Sequence, residues 1–303
     1  MSAVTTGIGR DGDSGVPATV GERRGNLWLD AGRRLLRNRV AMASLILLIL
    51  VAASAVLAPY IAPYPLGQPD LTAMMSPPSW RHLMGTNQIG QDVLTQVLYG
   101  GRVSLLIGLT AAIIAVAVGG LVGLVSGYVG GFVDNLLMRI TDLALSVPVL
   151  FVVMVVLLIV TPTVWSVIAV IGLTSWMYPA RIVRSAVLSI KEREFVEASR
   201  AAGAHGGRVV FREILPNTMS PLLVNAALLV GQAILTESTV DFLGAGLSPP
   251  NVSWGYLLNE AQTYVQPAPW MAIFPGIMIF LVVLGVNILG DGLRSALDPT
   301  ERR

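Results

Sequence analysis

Residues 143–180 contain no Asp, Glu, Lys or Arg, a stretch longer than one membrane-crossing helix requires. A helix rises about 1.5 Å per residue and a bilayer core is about 30 Å thick, so roughly 20 apolar residues span it. Thr161-Pro162-Thr163 divides the stretch, because proline lacks an amide donor and its ring disfavours helix continuation. The pattern predicts a tight hairpin of two spans, about 137–160 and 164–184. Val40–Ile61 and Val103–Val133 are also free of charge and predict spans near 40–61 and 103–127. Two further spans fall near 217–237 and 268–290. The fold class expected is an all-α transmembrane bundle of six helices. Composition agrees: only 13% of residues are charged and mean hydropathy is +0.70. Typical soluble domains carry about 25% charge. Gly119, Gly120, Gly123 and Gly127 lie in the second span, where small residues let helices approach closely.

The basic residues set the orientation. If both termini are cytoplasmic, every Lys and Arg except Arg81 and Arg102 lies inside, as the positive-inside rule requires. Residues 1–26 are rich in Gly, Ser, Thr and charge and read as a disordered cytoplasmic tail. Residues 27–39 alternate apolar positions with Arg33, Arg34, Arg37 and Arg39, the pattern of a basic amphipathic helix at the membrane surface. Residues 40–303 then form the six-span domain. Outside, the segments from Ala62 to about Gly101 and from about Asp241 to Ala268 are long. They either cap a pathway, dock a partner or simply connect spans.

Chemistry of the chain's own is hard to find. A phosphate-binding loop needs a Gly-rich turn followed by Lys and Ser or Thr. The single lysine, Lys191, follows Ile190, so there is no such loop. No HExxH or G-x-S-x-G occurs, and His82 and His205 are too few and too far apart to suggest a metal cluster. No span places a charge near its centre; Glu237 and Asp241 fall at the outer end of the fifth. Ion-coupled carriers usually need buried ionisable groups, so this weighs against that class. Arg139 and Asp142 stand three residues apart on one helix face. They can pair with each other or contact a partner chain. Met154, Met271 and Met278 fit either a lined path or ordinary packing.

The inside loop 191–217 is too charged to be membrane-buried. Phe195–Ala202 is a short helix by propensity, which Gly203 can terminate, and a second short helix is expected from Gly207 to Leu215. Pro216 then begins the next span. Glu197-Ala198-Ser199, Gly203 and Leu215-Pro216 resemble the EAA loop of bacterial ABC importer permeases. His82–Leu94 with Tyr99–Leu105, Asp241–Pro250 with Trp254-Gly255, and Asn287–Pro299 resemble the signatures of one subfamily. It is the C-type permease subunit of dipeptide and oligopeptide importers, and the match runs from about Arg33 to the end.

The resemblance implies a multi-pass protein of the bacterial inner membrane that is not itself an enzyme. It implies a second homologous permease, two ABC ATPase chains that hold ATP and Mg, an external solute-binding protein and a peptide cargo. It implies no cofactor in this chain and no nucleic acid. Contact with the ATPase would fall on Glu197, Ala198, Ser199, Arg200, Gly203, Ala204, Leu215 and Pro216. Outer-loop contacts would fall on Gly85, Thr86, Asn87, Gly90, Asp92, Trp254 and Gly255. Nickel chelates, glutathione or sugars are alternative cargoes, and a standalone channel or ion-coupled carrier is the alternative class. Four positions depart from the family pattern. Asn87 and Gln91 stand where Asp and Arg are usual, as if an ion pair had become a neutral polar pair; Ser199 replaces a small Ala; and Glu213 replaces a common His.

Overall fold

The computed structural model describes residues 27–297. The expected N-terminal tail and the last residues of the Asn287–Pro299 signature lie outside this range. Among the described residues the chain is helical and has no strand beyond one isolated bridge, Thr86 to Asp92. In order, the helices are α1 (Leu27–Arg37), α2 (Arg39–Val56), α3 (Ala58–Ile61), α4 (Val93–Val129), α5 (Gly131–Ser146), α6 (Val149–Ile159), α7 (Val164–Leu173), α8 (Met177–Lys191) and α9 (Glu194–Ala201). After α9 come α10 (Gly206–Arg208), a π-helical turn (Val209–Ile214), α11 (Leu215–Phe242), α12 (Trp254–Ala261) and α13 (Trp270–Leu297). Among the described residues, four helices are long and apolar enough to cross a membrane: 39–56, 93–129, 206–242 and 270–297. The pairs α5–α6 and α7–α8 pass the same test together, but bend by 82° and 42°. Pro148 and Trp176 N-cap the second helix of each pair.

α4 is the central strut and packs along α8, α11, α7 and α2. Its seam with α8 is made of glycines four residues apart. A Cβ at Gly119 would lie 2.4 Å from the Trp176 carbonyl oxygen, and one at Gly123 would lie 2.4 Å from that of Ala180. At Gly127 it would lie 2.8 Å from Val187 Cβ. Here backbone meets backbone, which is how helices associate when lipid removes the hydrophobic incentive. Gly120 faces elsewhere and meets only Leu222 Cδ2 at 3.7 Å.

Three sequence expectations are revised. α4 begins at Val93, ten residues before the expected span, because Asp92 caps it: Asp92 Oδ2 accepts from the Thr95 amide at 2.8 Å. Gly100 and Gly101 are helical since the Trp254 indole rests on them; a Cβ at Gly101 would sit 2.9 Å from its Cζ2. Second, the separate short helix before Pro216 does not exist. The chain is helical without interruption from Gly206 to Phe242. Proline in an α-helix clashes with the carbonyl four residues back, and the wider π-turn just before Pro216 relieves this. Third, Asp142 pairs with Arg181 of α8 at 2.5 Å rather than with Arg139. Cross-helix packing brings α8 closer to Asp142 than its own-helix neighbour.

The seam gives a direct test. Gly123→Ala is expected to destabilise the fold by about 1–3 kcal/mol through overpacking. Gly120→Ala should be near neutral. Thermal unfolding of the purified variants in detergent distinguishes the two.

Candidate functional site

The sequence-nominated residues fall into two groups at opposite ends of the bundle. The first is the loop from Lys191 to Pro216. α9 starts after Arg193 in extended backbone, and its Ala- and Glu-rich sequence sustains two turns. Gly203 ends it with φ +82°, a conformation that strains L side chains, and nothing lies within 4 Å of where its Cβ would be. The Gly203 amide donates to Arg200 O at 2.9 Å and that of Ala204 to Ser199 O at 3.1 Å, so the helix end is satisfied. Val196 is fully buried against Val187, Ile190, Val209 and Ile214, which anchors the loop. Glu197, Ala198, Arg200 and Gly203 are exposed, Ser199 and Ala204 half-buried. Leu215 and Pro216 lie beyond α10 and the π-helical turn, at the start of α11.

Two contacts tie this loop to the bundle and a third braces the helices beside it, and the sequence reading missed all of them. The Lys191 ammonium donates to Gly127 O at 3.0 Å. The Arg200 guanidinium stands over the Tyr128 ring, 5.9 Å from its centroid. Arg184 donates to both oxygens of Asp134, at 2.5 and 2.6 Å, and Ser126 donates to the same carboxylate. The last joins α4, α5 and α8 just above the loop. Bidentate pairing of this kind fixes geometry as well as charge. Exposed Phe195 and Phe211 add an apolar face that the motif did not flag.

The second group forms a cap at the other end. Thr86 and Asn87 are fully buried, and Asp92 nearly so. The Asn87 Nδ2 donates to Gln91 Oε1 at 3.0 Å, while Asn87 Oδ1 accepts from the amides of Ile89 and Gln91. The two residues that depart together from the family pattern are therefore bonded to each other. Gly85 (φ +76°) lets the chain pass the Trp270 indole, whose Nε1 donates to Thr86 O at 3.0 Å. Gly90 (φ +81°) packs on Asp70, where a Cβ would approach the carbonyl oxygen to 1.9 Å. Asp92 also contacts His82 Nδ1 at 3.0 Å. Outside the helices, the Thr72 hydroxyl and amide hold the Asp70 carboxyl below the usual range. Burial and the neighbouring Glu260 push the Tyr256 phenol up to about 12.

Trp254 and Gly255 lock the second outer segment to the same cap. The fully buried Trp254 ring donates to Val97 O at 2.9 Å, and its amide donates to Ser104 Oγ at 3.1 Å. Gly255 lies against α11, where a Cβ would be 2.5 Å from Ser238 Cα. Asp241 organises the turn before it, accepting from the Leu247 amide at 2.9 Å and from Ser253 Oγ at 2.5 Å. Glu237, one turn back, is completely buried, near the Ser104 and Ser238 hydroxyls. Its burial is deeper than a position near a span's end implied. The nominated outer residues are thus the frame of the cap, and its exposed side chains are others: Trp80, Leu71 and Leu83. Met271 belongs to this packed core rather than to any path.

Residues 119–303 match the model of the binding-protein-dependent transport system inner membrane component. The chain belongs to this family. Residues 26–78 match the N-terminal TM domain of oligopeptide transport permease C. The oligopeptide transport system permease protein OppC of Escherichia coli K12 is 40% identical, over 91% of this chain and 92% of its own. The dipeptide transport system permease protein DppC of Bacillus subtilis is also 40% identical, over 90% and 86%. A peptide permease protein of Brucella suis, named there as putative, is 40% identical over 89% and 90%. As an inner membrane component of a binding-protein-dependent transport system, the chain is an integral protein of the bacterial inner membrane.

The Asn87–Gln91 pair makes a testable cycle. Asn87→Asp alone sets a carboxylate against Gln91 Oε1 and should destabilise by about 1–3 kcal/mol, the penalty of an unsatisfied buried group. Adding Gln91→Arg should recover most of it. Thermal unfolding of the two singles and the double provides the coupling energy.

Proposed function

We propose that this chain is a permease subunit of an ATP-driven importer of dipeptides or oligopeptides, and that its 191–217 loop is the contact with separate ATPase chains. The observation that carries the reading is the build of that loop. A short helix with an exposed small-residue face is anchored by one buried residue, Val196, and the Gly203 turn joins it to the 37-residue helix 206–242, which contains the π-turn 209–214. A partner that moves α9 therefore moves a span. Glu197, Ala198, Ser199 and Arg200 form the seat, with Phe195 and Phe211 as apolar contacts beside it. Gly203 and Ala204 form the turn, and Leu215 and Pro216 the junction to the span.

The sequence has no phosphate-binding loop, so ATP and Mg would be held by the ATPase chains. We place both termini and the 191–217 loop in the cytoplasm, with the cap of residues 62–92 and 243–269 outside. There the exposed Leu71, Trp80 and Leu83 would meet the solute-binding protein. A second, homologous permease and two ATPase chains would complete the assembly. Six spans follow if each bent pair crosses once. Peptide cargo is supported by the names and near-full-length similarity of the relatives.

The test is ATP-coupled uptake in proteoliposomes holding the whole importer. Gly203→Pro, Glu197→Arg and Ala198→Trp should each insert normally yet lower uptake by more than about tenfold, a coupling loss of roughly 1.4 kcal/mol. Uptake at the unmodified rate in all three would remove the loop from the coupling role.

A further inference from the structure

Arg102 is the last charge on α4 before the uncharged residues 103–133, so it stands where that helix passes from the cap into lipid depth. Arg102 is exposed, and its guanidinium lies over the Tyr99 ring, 5.9 Å from the centroid. Among the described residues it has no carboxylate partner and makes no hydrogen bond. A guanidinium cannot shed its charge, and a lone cation at the edge of a bilayer core is costly unless an anion or water meets it. The other cation on this side, Arg81, belongs to the cap itself and not to a membrane helix.

A cavity of about 580 Å³ adjoins it. Ala52 and Val56 of α2, Leu105, Leu106 and Leu109 of α4 and Val164 of α7 supply apolar lining. Among the described lining residues Arg102 alone is charged. On α4 the cavity continues as a stripe. Arg102, Leu106, Leu109 and Ile113 recur at intervals of three or four residues, which puts them on one helix face, and all four are exposed. At about 1.5 Å per residue, Arg102 to Ile113 covers about 16 Å, close to the roughly 15 Å depth of one leaflet's hydrocarbon. The surface is thus a cationic head above an apolar stripe of leaflet length.

We propose that this cleft is a phospholipid site. The phosphate of a lipid in the leaflet on the cap's side pairs with Arg102, and one acyl chain runs along Leu106, Leu109 and Ile113. Arginine's planar fork matches phosphate oxygens bidentately. Size favours an acyl chain over a helix from a neighbouring subunit. A helix is about 10 Å across or more, so 16 Å of it would fill at least about 1,200 Å³, twice what the cleft offers. The inference needs only a membrane-spanning chain and is independent of the importer reading.

The chain has no cysteine, so a single one can be placed in it cleanly. The assay uses the full chain, purified in mild detergent with the subunits that accompany it. Ile113→Cys carries a bimane, and phosphatidylglycerol brominated near the end of its acyl chains is titrated in. Quenching should saturate at low lipid. A bimane at Phe280→Cys, exposed on α13, should be quenched only in proportion to the lipid added. Arg102→Gln should weaken the saturable phase by about tenfold, roughly 1.4 kcal/mol, and Arg102→Lys by less. Arg81→Gln should leave it unchanged. Two arms keep Arg102 intact. Brominated diacylglycerol, which lacks the phosphate, should bind about tenfold more weakly than the phospholipid. Inorganic phosphate at concentrations matched to the lipid should not displace it, since it lacks the chain. Four results overturn the proposal: no saturable quenching at position 113, which would mean that another subunit covers the cleft; equal binding of diacylglycerol and phospholipid; displacement by matched inorganic phosphate, which would mean a plain anion site; or unchanged binding in Arg102→Gln.

Discussion

The approach of α4 to α8 holds the rest of the bundle in place. Gly119 and Gly123 bring the two backbones so close that a methyl group would overlap a carbonyl oxygen. Lipid is as apolar as leucine, so association inside a bilayer depends on such fit and on polar contacts. The polar contacts lie at the end of the seam toward the 191–217 loop, where Arg184 grips Asp134 and Lys191 reaches Gly127 O. Because α8 leads directly into that loop, the seam also sets where α9 stands.

The two ends of the bundle are stabilised differently. At the cap, Asn87, Asp92, Asp241 and Trp254 each direct their polar atoms at a partner in the cap or in the adjoining first turns of α4. Buried polar groups satisfied in this way rigidify a structure. At the opposite end, α9 has one buried anchor, Val196, and an open face. A rigid cap and a lightly held loop are what a subunit needs if one end receives a partner's motion and the other keeps its shape.

Much of this was legible in the sequence, and the reasons are physical. Uncharged stretches of span length marked where the long apolar helices fall, because a charge in lipid is expensive wherever it falls. The positive-φ glycine at 203 was legible as a helix stop, since glycine adopts that conformation without strain. What escaped were features set by contacts distant in sequence. Gly100 and Gly101 read as loop until Trp254 packed on them. Asp142 read as a partner for Arg139 until α8 brought Arg181 nearer. The buried contacts of Glu237, and the pairing of Arg184 with Asp134, depend on helices meeting at particular heights, and no local pattern encodes that. The Asn87–Gln91 bond lay between: the paired departure from the family pattern hinted at it, and the turn geometry made it.

The uninterrupted helix from Gly206 to Phe242 has a mechanical consequence. Thirty-seven residues at about 1.5 Å each make a rod of roughly 55 Å. Pivoted near its middle, such a rod is a balanced lever: a tilt of about 5° swings each tip by roughly 2 Å in opposite directions. One tip carries α9 and the other carries Asp241, which holds the turn leading to Trp254. A push at the first tip would therefore reach the second reversed in sign, so the two mouths of the bundle would be geared to move oppositely.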